Sequence, residues 1–228
     1  MRAIRNKKVI FVVICLILTG FLCASVYAYY TDYHQTNNAF TVGKVKIELQ
    51  EPLYNLPENE EKRDEMAAGD SFVKDPAVTN TGSSDCYVFV ELEIPRSNRL
   101  FIDENGQRLP EEYRDIFEFE FNKQWEMLKS DVNNSTSKYI LAYAQDKNMT
   151  ALPKGAKTET VFKNNKVALA NIIEIADKET LNIPVKAYAI QTTDLIGTDG
   201  KGTDNPEQIF NLIKNQLKSE EEGKDGNK

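Results

Sequence analysis

The chain has 228 residues, with 28 Lys and Arg against 35 Asp and Glu, a single histidine and three cysteines. A net charge of −7 argues against a nucleic-acid partner, whose phosphates need Lys and Arg to neutralise them. One histidine also leaves no imidazole pair for a zinc hydrolase of the HExxH kind.

The first 28 residues read as a secretory signal. Arg2, Arg5, Lys7 and Lys8 form a cationic start, Val9 to Leu22 is an uncharged apolar run, and Val26-Tyr27-Ala28 ends it with the small side chain a peptidase needs at −1. Cleavage is expected between Ala28 and Tyr29, rather than after Ala24 or Ser25. The competing readings are a membrane anchor, since no charge intervenes between Val9 and Asp32, and a lipoprotein anchored at Cys23. Removing the signal takes four cations and no acid, so the remaining 200 residues carry −11. Of the cysteines only Cys86 remains, which rules out an internal disulfide, and its place at the start of a strand-like run predicts a buried, inert thiol.

The freed segment YYTDYHQTNNAF (Tyr29 to Phe40) is aromatic and strand-prone. Tyr29, Thr31 and Tyr33 fall on one face of an extended chain, and Tyr30, Asp32 and His34 on the other. Such a terminus can add to a sheet edge of its own chain or of a neighbour, or simply fray. His34 itself reads as a solvated side chain.

Further along, alternation predicts strands at Phe40–Leu49, Cys86–Ile94, Phe117–Phe121, Lys138–Ala144 and Ile183–Gln191. Glu51 to Asp70 reads as a long charged surface connection. Pro110 to Phe117 opens with proline and acids and predicts a helix. Asn205 (cap), Pro206 (first helical position), Gln208 (capping-box partner) and the stripe Ile209, Leu212, Ile213 and Leu217 predict a better-defined one. The last residues, 219–228, lack apolar side chains and read as a disordered acidic tail. Short strands between Gly, Pro, Asn and Asp turns point to one domain, residues 29–218, with a mainly β fold, either sandwich or barrel.

Chemistry-bearing residues are few. Glu118 and Glu120 share a strand face and read as solvated. Asp194, Asp199 and Asp204 lie in a glycine-containing loop that lacks the ligand order of a calcium loop. Trp125 reads as packing. No catalytic residue, cofactor or metal ligand is assigned.

Four blocks, VYAYYTD, NNAFTVGKVKIELQEP, AAGDSFVKDPAVTNTGSSDCYVFVELEI and VKAYAIQTTD, are together similar to the TasA/camelysin family of exported proteins from spore-forming Gram-positive bacteria. The resemblance runs from about Tyr29 to Leu217. It implies a jelly-roll-like β-sandwich with short helical insertions and a C-terminal helix, and maturation by a dedicated signal peptidase. It further implies extracellular fibres in a biofilm matrix or at the cell surface, built by donating the mature N-terminal strand, here Tyr29 to Ala39, to the next copy. The implied partners are therefore self and possibly related matrix subunits. Camelysin itself was described as a zinc metallopeptidase, so a secreted peptidase is the alternative, and a monomeric surface-binding module a third reading.

Overall fold

The computed structural model describes residues 39–42, 45–64, 66–103, 105–173, 182–197, 200 and 202–225. Among them are twelve strands: β1 Ala39–Val42, β2 Ile47–Gln50, β3 Ser71–Val73, β4 Ala77–Asn80, β5 Cys86–Ser97, β6 Arg114–Asp115, β7 Phe117–Phe121, β8 Trp125–Val132, β9 Thr136–Gln145, β10 Asn148–Met149, β11 Phe162–Leu169 and β12 Val185–Gln191. Two helices accompany them, α1 Pro57–Asp64 and α2 Pro206–Asp225. The fold is mainly β, as its alternating sequence predicts, and built of layers rather than a closed barrel.

A seven-stranded sheet forms the middle layer, in the order β1-β12-β5-β9, with β8 on the far side of β9, β10 at the end of β9 and β6 at the end of β5. Its pairings are antiparallel except for β1, which lies parallel to β12 in the register Ala39 to Ala187 through Val42 to Ile190. A three-stranded sheet (β3-β11-β7) and a two-stranded sheet (β2-β4) are separate from it. Their Ile47, Leu49, Val78, Phe117, Phe162, Val167 and Leu169 share one core with Val88, Val90, Leu92 and Ile94 of β5. The period of two in CYVFVELEI puts those four residues on one side, as expected.

The opposite side of β5 explains why this strand is buried almost throughout. Phe89 joins Ile140, Tyr188 and Ile190 in a second core closed by Ile209, Phe210 and Ile213 of α2. Each of those three helix residues is at most 6% exposed, and burying each contributes about 1.5–3 kcal/mol. The start of α2 is fixed by Asn205, whose Oδ1 accepts hydrogen bonds from the N–H groups of Glu207 and Gln208 at 3.0 and 3.2 Å. Asn205 N–H donates to Thr203 Oγ1 rather than to Gln208, so the cap is completed by the residue before it.

Several expectations need correcting. The predicted strand Phe40–Leu49 is two strands in different sheets, since β1 pairs with β12 and β2 with β4. Pro110 to Phe117 is not helical: Arg114 and Asp115 pair with Ser97 and Arg96. There Asp115 is held by an ion pair from Arg96 Nε (3.1 Å) and by the hydroxyls of Ser137 and Tyr139. The Glu51–Asp70 connection contains α1, whose first turn carries Glu58 and Glu60 where acids favour a helix N-terminus. Helix α2 runs to Asp225, into the tail expected to be disordered, because Glu and Lys propagate a nucleated helix at little cost.

Candidate assembly surface

The residues singled out for processing and strand donation, Val26, Ala28, Tyr29, Tyr30, Thr31, Tyr33 and His34, lie outside the described residues. The structure does place the chain that follows them: β1 begins at Ala39 and forms one edge of the seven-stranded sheet. The opposite edge is β8, eight residues long and, among the described residues, paired on one side only, to β9. Its ladder slips between Met127 and Lys129, a bulge that leaves Leu128 without a register partner.

The sheet face under α2 carries a compact charge cluster. Glu91, 7% exposed, is paired to Lys138 Nζ at 2.7 Å and to Lys186 Nζ at 3.3 Å, and accepts a hydrogen bond from Tyr188 Oη at 3.3 Å. Burial, reinforced by Glu91, raises the Tyr188 phenol above its ordinary 10.0. A phenol raised in the folded state keeps its proton where the unfolded chain has lost it, so its contribution is complete below pH 10 and is lost as pH climbs through the folded value. Stability measured by urea unfolding should therefore fall above about pH 10, and Tyr188→Phe should shrink that fall. An equal fall in the variant would assign it to other groups.

A second buried pair joins β2 to β3. Lys74 Nζ donates to Glu51 Oε2 at 3.0 Å and lies 2.9 Å from Oε1 in a purely ionic contact. It also sits 4.0 Å above the Tyr54 ring, which meets the Arg63 guanidinium at 3.8 Å. Burial lowers the Lys74 pKa, and Glu51 opposes the shift. Asp75 accepts the N–H groups of Leu53 and Tyr54 at 3.0 and 2.9 Å, so these charges organise the loop that leads into α1.

Glu118 and Glu120 are exposed, and Glu120 is tied up by Lys163. Asp194 has a left-handed backbone (φ 60°) two residues before the Ile196–Gly202 bridge, while Asp199 is outside the described residues. Trp125 packs in the core and its indole N–H donates to the Glu159 carbonyl at 3.0 Å. Cys86 is fully buried, and burial, with Asp85 adding to it, pushes its thiol up to about 12. A cleft of about 250 Å³ between β3 and the β11 bulge is lined by Asn59, Phe72 and Asn165 among others, with no carboxylate or imidazole. Among the described residues no three His, Cys, Asp or Glu side chains come together as metal ligands, and no helix is long and apolar enough to cross a membrane.

Neither the curated proteins nor the solved structures contain a match to this chain. A family model does match, described as camelysin metallo-endopeptidase, over residues 4–183. The match takes in the apolar N-terminal run and every described strand except β12, well over half of the chain. The chain belongs to the camelysin metallo-endopeptidase family.

Proposed function

We propose that this protein is exported, is cut between Ala28 and Tyr29, and assembles outside the cell into head-to-tail fibres through the freed segment from Tyr29 to Ala39. The observation that carries this reading is the position of β1: the freed segment runs directly into a strand at the margin of the large sheet. Main-chain hydrogen bonds to a neighbouring edge would supply affinity, and the alternating aromatic side chains the register. A contact made by one surface on a different surface does not close on itself, so filaments rather than dimers result. Because the segment is freed only by cleavage, polymerisation is confined to the exterior. Such fibres suit a biofilm matrix or a cell surface, with related subunits as possible co-assembly partners.

The peptidase activity in the family's name is the competing reading. The described residues do not bring together a ligand set for zinc, and His34 is the sole imidazole of the chain. No catalytic step is assigned here to any residue.

Electron microscopy of the purified secreted protein tests the proposal. Wild type should form filaments, and protein lacking Tyr29 to Asn38, which keeps β1 whole, should stay monomeric. Filaments indistinguishable from wild type after this deletion would exclude donation by the segment. Casein cleavage that is stopped by a chelator and by His34→Ala would establish the peptidase reading instead.

A further inference from the structure

The fibre reading names a donor but not a receiving surface, and the structure contains a surface of the right kind. In a finished sandwich, apolar side chains on the inner face of a sheet are covered by the facing layer. Two residues of β8 are not. Met127 is the register partner of Leu141, and Val132 that of Ser137, which pairs in turn with the core residue Ile94. Both therefore lie on the core side of the sheet, yet they are 57% and 50% exposed.

The facing layer ends at the same place. β7 is the margin of the three-stranded sheet, and the chain passes from β7 to β8 through only Asn122, Lys123 and Gln124. Two strand edges, neither with a second partner among the described residues, thus leave one corner, one in each sheet. Between them lie aromatic rings that are only partly buried: Phe119, Phe121, Tyr139 and Tyr143. Tyr139 from the large sheet meets Phe119 and Phe121 from the small one edge-on, at 6.0 and 5.7 Å. Together these make a trough, floored by aromatics and flanked by free backbone, where one strand of a closed sandwich is missing.

We propose that this trough between β7 and β8 receives residues Tyr29 to Asn38 of a second copy, hydrogen-bonded along β8 with Tyr29, Thr31 and Tyr33 turned toward the rings. The inference rests on the fibre reading above and names its receiving surface. The occupant is a second copy because of reach. From β1 the large sheet must be crossed through β12, β5, β9 and β8. That is five inter-strand steps of about 4.8 Å, roughly 24 Å, or about seven extended residues. Only ten residues separate Tyr29 from β1. The roughly three left over cannot pair along an eight-residue strand, so a copy cannot fill its own trough and each must fill another's.

Two measurements on the secreted protein test this. Met127→Glu combined with Val132→Lys places charge on the path of the incoming strand at positions the monomer leaves exposed. Fibre yield should fall at least tenfold while the monomer melts with the wild type. Independently of any effect on folding, protein carrying Thr31→Cys and Ser130→Cys, treated with a short bis-maleimide after assembly, should give a ladder of covalent oligomers, with buried Cys86 silent. Fibres that require Tyr29 to Asn38 yet ignore the charged pair and give no ladder would overturn the trough and leave strand donation standing. Wild-type protein that remains monomeric, or fibres that survive loss of Tyr29 to Asn38, would overturn both.

Discussion

Replacing Lys74 by methionine should lower the unfolding free energy by about 3–5 kcal/mol, whereas replacing Lys74 and Glu51 together, by methionine and leucine, should leave it within about 1 kcal/mol of wild type or above it. The reasoning is one of uncompensated charge. The side chains are 3% and 7% exposed, so both ions have given up most of their water and each relies on the other. Removing the ammonium strands the Glu51 carboxylate, whose Oε1 has no other polar partner. Removing both ends trades an ion pair that barely repays its desolvation for ordinary apolar packing. Urea unfolding of the three proteins decides the matter: a single variant no worse than the double would mean that water or Arg63 reaches Glu51 after the change.

The second large effect is expected at Asn80, fully buried at the end of β4. Its amide Nδ2 donates to the carbonyls of Ser84 and Leu152, both at 2.9 Å, and its Oδ1 accepts the Gly82 N–H at 3.0 Å. One side chain thereby ties the turn after β4 to a segment 72 residues further on. Asn80→Asp keeps the shape but turns an oxygen toward two carbonyls, which should cost about 3 kcal/mol from two lost hydrogen bonds and an unpaired buried charge. Facing acceptors in the folded protein, the new carboxyl titrates above its unfolded value, so the deficit should grow as pH rises from about 4 to about 7. A deficit independent of pH would show that the turn has opened and let in water. Gly82 has its own reason to be glycine, since a Cβ there would lie 2.7 Å from the Lys46 nitrogen.

Much of the β framework was legible because strand alternation is a local signal. β5, β7, β9 and β12 all fall where the pattern places them, and the Asn205 cap and apolar stripe foretold α2. Failures came where one local signal serves two outcomes. PENEEKRD and PEEYRDIF both open with proline and acids, yet only the first is a helix. The second is pulled straight by Arg96, Ser137 and Tyr139 gripping Asp115, contacts made by residues up to twenty-four positions away. The split between β1 and β2 did leave a mark, since the apolar residues stand at Phe40 and Val42 and then at Val45, Ile47 and Leu49, a change of phase at Gly43-Lys44 that reading one strand through it passes over. As for function, the proposed donor segment could be named from the sequence, whereas the proposed receiving trough could not. Met127 and Val132 look like any strand residues until the pairing shows which way they face.

The sheet order also dictates when folding can finish. β12 is the common neighbour of β1 and β5, pairing Ala187 with Ala39 on one side and with Val90 on the other. These partners are separated by roughly a hundred residues or more of sequence, and such distant contacts form slowly because a long loop must close first. Until Val185–Gln191 has arrived, β1 has no neighbour in its sheet among the described strands, and one side of β5 lacks its partner. A chain emerging from a narrow channel N-terminus first therefore cannot complete its central layer until about four fifths of it is through. The topology itself postpones closure, so the polypeptide stays threadable for nearly its whole passage and locks only at the end.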